Sequence, residues 1–262
     1  MDTNFPFDPI QRSKDIESLV MQGNARRYYR FRFAKFYGGI ATADAVACNL
    51  LCCYCWNYSK NLNPANQGEF YNPTEVADKL KTISLKHRCN QFRVSGAEPF
   101  LGEASTKHLA AIMESMPSDS SFIIESNGLI LGYDPALIDH LDGLDNILIR
   151  IAIKGDNPRT WERITGAKGE YQPYQLEAIK NLRAKGITVS VAYMTGFVDP
   201  DKLGLDYDED FDVEGLSYYQ GTRSRMIERG LETRRKPSQP LIPIMPESRP
   251  VVDCWDDKGD IT

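Results

Sequence analysis

Four of the chain's six cysteines, Cys48, Cys52, Cys53 and Cys55, fall within the eight positions that open "CNLLCCYCWN". Cys52 and Cys55 form a C-x2-C pair, and adding Cys48 extends it to C-x3-C-x2-C, with Cys53 as an extra. Thiolates are soft ligands that select zinc, copper(I) or iron–sulfur clusters. A structural zinc site closes with four ligands, as two C-x2-C pairs or as cysteine with histidine. No second C-x2-C exists, and His87, His108 and His140 are scattered rather than paired at ligand spacing. A closed zinc site is poorly supported. Three cysteines on a [4Fe–4S] cluster would instead leave one iron open to a substrate or cofactor. From a different class, the same cysteines could serve a non-catalytic electron-transfer or metal-binding module.

Such ligands need elements to hold them, and downstream of the cysteines strands and helices alternate. Strands are expected at "GGIATADAVA" (38–47), "QFRVSG" (91–96), "SFIIESNG" (121–128), "NILIRIAIKG" (146–155) and "ITVSVAYMTG" (187–196), with a weaker sixth at "DFDVEGLSYY" (210–219). Between them, Asn72 caps a predicted helix that begins at Pro73 and carries Glu75 in its first turn. A second places Leu109, Ile112, Met113 and Met116 on one face. Further helices are predicted at "DPALIDHLDGL", from Pro173 to about Lys185 before Gly186, and from about Thr222 to Arg229. The acidic link "VDPDKLGLDYDED" is helix-poor.

Repeated βα units imply a parallel sheet with helices outside. Ile147, Ile149, Ile151 and Ile153 alternate with Leu148, Arg150, Ala152 and Lys154. A strand covered by helices on both faces would be apolar throughout. The alternation predicts one face on helices and the other lining a polar cavity, so an α/β fold with a curved, partial (βα)6 barrel. The reading is a single domain, with an N-terminal extension over 1–37, a core over 38–230 and a proline-rich C-terminal tail over 231–262.

The chain has 262 residues, 42% apolar and 26% charged, as in an ordinary globular protein. No stretch approaches the roughly 18–20 apolar residues that span a bilayer. "MDTNFPFDPIQRSKD" lacks a basic region followed by an apolar run, so a cytoplasmic protein with reduced thiols and no membrane partner is expected. The net charge of −5 does not favour polyanions. Two basic stretches, "ARRYYRFRFAKFYGG" and "TRSRMIERGLETRRK", stand against that average. Flanking the open side of a partial barrel, they predict a positive rim for an acidic protein segment or an RNA backbone.

Cys48, Cys52 and Cys55 match the C-x3-C-x-Φ-C signature of the radical S-adenosylmethionine (SAM) superfamily, with Tyr54 as the aromatic Φ. "SGAEP" (95–99) is similar to the family's G-G-E-P motif, and "ESNG" (125–128) to its [DE]-T-N-G. The resemblance runs from about Gly38 to Tyr219. It implies one [4Fe–4S] cluster on Cys48, Cys52 and Cys55, with SAM chelated to the fourth iron through its amino and carboxylate groups. One electron, from a ferredoxin- or flavodoxin-type donor, then yields a 5′-deoxyadenosyl radical that abstracts hydrogen from a substrate. Gly96, Ala97 and Glu98 are implied at the cofactor's amino group. Tyr54 and Ser126 are further cofactor contacts that the motifs imply.

"IAIKGDNPRTWERITG" resembles the D-[LI]-K…T-G segment of glycyl-radical-enzyme activases such as pyruvate formate-lyase activating enzyme. By that likeness Lys154 and Glu125 meet the cofactor's carboxylate and ribose. Ala152 stands where the family has aspartate, and Arg150 offers a different carboxylate contact. The expected activity is therefore activase-like, on a macromolecular substrate. "CYCW" also resembles the Cys-Trp of wyosine-forming tRNA enzymes, so RNA or nucleotide modification is the alternative.

Overall fold

The computed structural model describes residues 4–205 and 211–231. From the N-terminus its elements are α1 (Pro9–Val20), β1 (Met21–Gln22), β2 (Ala25–Ala34), β3 (Ile40–Ala45), α2 (Tyr58–Leu62), β4 (Glu69–Tyr71), α3 (Pro73–His87) and β5 (Gln91–Ser95). There follow α4 (Glu103–Glu114), β6 (Ser121–Ser126), α5 (Leu129–Tyr133), β7 (Ile147–Ile153), α6 (Pro158–Thr165), α7 (Pro173–Ala184), β8 (Thr188–Met194), β9 (Phe211–Glu214) and α8 (Thr222–Glu228).

All strands join one sheet in the order β1-β2-β3-β5-β6-β7-β8-β9, with β4 also on β2. β3, β5, β6, β7, β8 and β9 run parallel, which is the expected six-stranded partial barrel. Antiparallel β2 extends it at the β3 edge, paired from Tyr28↔Ala45 to Ala34↔Ile40 with a register shift between Tyr28 and Arg30. The alternation of β7 is visible in burial: its four isoleucines are buried and the three residues between them half-buried. Ile149 and Ile151 join Trp161, Ile164, Ile179 and Leu182 of α6 and α7 in one apolar core. The opposite face carries a polar row, in which Asp44 sits beside Ser95, Glu125 beside Arg150, and Arg150 beside Ser190.

Local chemistry sets the element ends. Asn72 Oδ1 accepts from the Glu75 amide while Glu75 Oε2 accepts from the Asn72 amide, a closed capping box for α3. At the N-terminus Asp8 caps α1 by accepting from the amides of Ile10 and Gln11. "DPALIDHLDGL" forms no regular α-helix; α5 stops at Tyr133 and a 3-10 stretch runs from Pro135 to Leu141. Proline disfavours helical backbone at the residue before it, and Asp134 is accordingly extended, at φ −126° and ψ 83°. Between β8 and β9 the described residues hold a single 3-10 turn, Pro200–Lys202. No described helix is long and apolar enough to cross a membrane. The proline-rich tail expected from 231 onward lies almost wholly outside the described residues.

Candidate functional site

The cysteine loop leaves β3 through Ala47, whose φ of 76° turns the chain sharply. Its backbone is then pinned to the end of α6: the Leu51 amide donates to Thr165 O at 3.0 Å and the Cys53 amide to Ile164 O at 2.9 Å. Amide groups converge on two of the sulfurs. The Leu50 amide lies 3.4 Å from Cys48 Sγ and the Asn57 amide 3.4 Å from Cys55 Sγ. Asn127 Nδ2 is 3.9 Å from Cys48 Sγ, and Asn61 Nδ2 is 3.8 Å from Cys55 Sγ. Such donors stabilise thiolate over thiol. Cys53 is wholly buried in the apolar core.

Burial pushes all three thiols of Cys48, Cys52 and Cys55 up, Cys55 to about 11. At Cys48 the nearby Glu98 adds to the rise, whereas at Cys52 and Cys55 the Lys154 charge opposes it. A bound metal supplies the positive charge that removes those protons. Among the described residues no three His, Cys, Asp or Glu side chains converge as ligands of one ion. A cluster makes a different demand, since each thiolate binds its own iron. The surroundings suit a bound polar group. Buried Asn49 Nδ2, Tyr54 Oη, Asn57 Oδ1 and Asn61 Oδ1, all on or just past the loop, have no hydrogen-bond partner within the protein.

The "SGAEP" turn lies against this loop. Gly96 has φ 86°, and a Cβ there would sit 2.9 Å from Asp44 Cβ, so only glycine fits. Its carbonyl accepts from Asn57 Nδ2 at 2.5 Å. Ala97 is half-buried beside it. The Glu98 amide donates to Ala47 O at 3.0 Å. The Glu98 carboxylate is committed to the protein: Oε1 accepts from Ser126 Oγ at 2.6 Å and the Phe100 amide at 3.1 Å, and Oε2 from the Asn127 amide at 2.7 Å. Burial pushes this carboxyl up to about 7, while the three donors hold it down. Glu98 thereby ties the end of β5 to the end of β6, and its main-chain carbonyl is left to Arg26 Nη2.

On the polar face of the sheet, Glu125 accepts from Arg93 Nη1 at 2.9 Å and Ser95 Oγ at 2.6 Å. Burial opposes its ionisation, but Arg93 and Arg150 prevail and lower it. Arg150 donates to Asp212 at 2.7 Å and Glu214 at 2.8 Å on β9. Lys154 follows the end of β7, half-buried, its amide donating to Gln175 Oε1 at 3.2 Å. Tyr54 is buried and stacks on Phe197 at 5.7 Å. Two groupings result. Cys48, Glu98 and Ser126 meet around Asn127, with Lys154 near Cys52 and Cys55. Glu125 and Arg150 belong instead to the polar row with Ser95.

Sequence reasoning passed over Asn127, Arg93 and Asp44. Asn127 stood inside "ESNG", so the motif itself carried the signal. Asp44 had none, because its partners come from β2: Arg30 Nε at 2.7 Å and Arg32 Nε at 2.8 Å. Those pairs also revise the expected positive rim. Arg26 is fully buried against the carbonyls of Glu98 and Pro99, Arg30 and Arg32 bind Asp44, and Arg27 lies 4.3 Å over the Phe70 ring. The four arginines of the first basic stretch are therefore engaged within the protein. The second continues beyond residue 231, outside the described residues.

Residues 44–202, from Asp44 at the end of β3 to the turn before β9, match the model of the Radical SAM superfamily. The chain belongs to that superfamily. A probable GTP 3′,8-cyclase of Methanococcus aeolicus is 26% identical over 164 residues, covering 61% of this chain and 52% of the relative. The GTP 3′,8-cyclase of Nostoc sp. is 24% identical over 187 residues, covering 69% and 53%. The chain thus spans about half the length of these two relatives. Among solved structures, Streptococcus suis SuiB bound to S-adenosylmethionine superposes with a TM-score of 0.52 at 14% identity, over 68% of this chain and 42% of that one. A radical SAM methyltransferase from Sphaerobacter thermophilus gives 0.51 at 12% identity, over 77% and 66%. These two share the fold. A radical SAM enzyme employs a [4Fe–4S] cluster and SAM, and needs a reductant.

Proposed function

We propose that Cys48, Cys52 and Cys55 hold one [4Fe–4S] cluster, and that the enzyme abstracts hydrogen from a macromolecular substrate in the manner of the activases. When bound, cluster and SAM supply a 5′-deoxyadenosyl radical at the cost of one electron. The observation that supports the cluster site is the set of amide donors at 3.4–3.9 Å from Cys48 and Cys55 Sγ, beside buried polar groups without a partner in the protein. The activase-like reaction rests on the likeness of the "IAIKGDNPRTWERITG" segment. In this reading Tyr54 and Phe197 wall the cofactor's side of the loop. Gly96 and Ala97 lend backbone, Lys154 and Arg150 lend positive charge for a carboxylate, and Glu98 with Ser126 fixes the strand ends. Glu125 faces the ribose. The division into an extension over 1–37, a core over 38–230 and a tail over 231–262 belongs to the same proposal, as do a cytoplasmic setting and a ferredoxin- or flavodoxin-type donor.

A nucleotide or RNA substrate is the second reading, favoured by the likeness to the two GTP 3′,8-cyclases. Anaerobic reconstitution tests the first claim. About four irons per chain and reductive release of 5′-deoxyadenosine are expected. Alanine at Cys48, Cys52 or Cys55 should abolish both, and Cys53→Ala should leave both. A full cluster in Cys52→Ala would overturn the ligand assignment. Substrate class is then read from which fraction stimulates that release, and from salt. RNA binding should weaken steeply from about 50 to 200 mM salt, a protein partner less, and a free nucleotide little.

A further inference from the structure

The cysteine loop is bracketed by three guanidinium groups, all from outside the segment that matches the superfamily. Arg12 of α1 is 7% exposed; its Nη2 donates to Asn61 O at 2.8 Å and its Nε to Cys48 O at 3.4 Å. Arg225 of α8 donates from Nε to Cys53 O at 2.8 Å, with its guanidinium 4.2 Å over the Tyr58 ring. Arg229, just past α8, donates from Nη1 to Ile164 O at 2.7 Å and from Nη2 to Tyr58 Oη at 3.3 Å. Ile164 O is the carbonyl that also receives the Cys53 amide. Arg163 Nε in turn donates to Arg229 O at 2.8 Å, closing the path from α8 back to α6.

Two features of this arrangement point beyond fastening. Carbonyl and hydroxyl oxygens carry no formal charge, and among the described residues no carboxylate pairs with Arg225 or Arg229. Their charge is left to act on the loop. It is also distributed along the loop, for Arg12 reaches Cys48 O, Arg225 reaches Cys53 O, and Arg229 reaches the Ile164 carbonyl that holds the Cys53 amide. Arginine suits this place better than lysine, because its planar fork reaches several acceptors and its weaker hydration tolerates burial.

We infer that Arg12, Arg225 and Arg229 form a cationic clamp that positions the cysteine loop and favours the reduced state of its cluster. The inference rests on the proposed ligand set. One-electron reduction adds one negative charge at the cluster, with the electron drawn from the reductant. Cations held a few residues from the ligands lower the energy of that product, and net charge is among the determinants of such potentials.

The test is a dithionite titration of the reconstituted full chain, with the reduced cluster followed by electron paramagnetic resonance. In Arg225→Gln and Arg229→Gln the reduced-to-oxidised ratio at a fixed potential should fall about tenfold, a lowering of about 59 mV for one electron. Arg225→Lys should return most of it. Gln variants that hold about four irons with an unchanged potential would overturn the clamp. Should the Gln variants fail to fold, Arg225→Lys and Arg12→Lys keep the charge but lose the fork. They should then hold the wild-type potential while losing iron to a chelator several-fold faster, and wild-type rates of loss would overturn positioning. A wild-type protein without any cluster would instead defeat the ligand assignment, which is a different result.

Discussion

A buried thiol gives up its proton reluctantly, and the loop from Cys48 to Cys55 contains four such thiols, three of them the proposed ligands. The donors and cations around the loop oppose that effect of burial without overcoming it, and a bound metal supplies the rest. Lys154 is the cation supplied from within the barrel. It follows β7 with the parity of Arg150, and its charge lowers both Cys52 and Cys55 against the effect of burial. Arg150 is already held by Asp212 and Glu214. Among the described residues no ion pair engages Lys154, which leaves it the better placed of the two for a cofactor carboxylate. Hydrogen bonds to a charged group contribute roughly 1.5–3 kcal/mol, so Lys154→Ala should weaken SAM binding about tenfold or more. Equilibrium binding to the reconstituted protein reads this directly. An unchanged dissociation constant would return Lys154 to the surface.

At the scale of elements, one buried amide joins the parts that carry the site. Gln175 of α7 is 1% exposed and fully engaged. Its Nε2 donates to Asn127 O at 2.5 Å and Ala152 O at 3.1 Å, and its Oε1 accepts from the Lys154 amide at 3.2 Å and Trp161 Nε1 at 2.7 Å. Asn127, Ala152 and Trp161 belong to the ends of β6 and β7 and to α6. Gln175→Leu keeps the volume and strands four partners, each costing about 1–3 kcal/mol if left unpaired. A loss of at least about 3 kcal/mol in urea unfolding is expected, and a loss below about 1 kcal/mol would show that water replaces the amide. No sequence rule pointed to Gln175, because a glutamine in an amphipathic helix reads as solvent-facing until its acceptors are known. The six parallel strands were legible because period-2 alternation and short apolar runs are local signals. The cysteine spacing and the glycine of "SGAEP" were legible for the same reason. α1 was not, since its buried face includes Arg12 and Ser13 and so breaks the apolar pattern. Nor was the internal use of Arg26, Arg30 and Arg32, which depends on Asp44 and the 98–99 carbonyls arriving from other strands.

At the scale of the whole molecule, the antiparallel edge and the barrel are joined through a second buried group that titrates. His108 of α4 is 2% exposed and lies between Asn24 O, 2.7 Å from Nδ1, and Tyr28 Oη, 3.0 Å from Nε2. A carbonyl can only accept, so Nδ1 carries the proton and Nε2 accepts from the tyrosine hydroxyl. Burial raises Tyr28, which keeps that hydroxyl a donor. The same burial, with the Arg26 charge nearby, pushes His108 down to about 4. An unfolded histidine titrates near 6.5, so between about pH 6.5 and 4 the unfolded chain binds a proton that the native one refuses. The contribution of His108 is therefore complete above about pH 6.5 and is lost as pH falls, by about 3 kcal/mol once pH 4 is reached. Carboxylates such as Glu125, whose ionised form the fold favours, lose stability over the acid range as well, and Glu98, raised to about 7, works in the opposite sense. A comparison of variants cancels both. In His108→Gln an amide can donate to Asn24 O and accept from Tyr28 without titrating. Its urea midpoint should fall less steeply than the wild type's from pH 6.5 to 4, the two curves converging toward the acid end. Parallel curves would mean that His108 is protonated in the native state, with Tyr28 turned to accept.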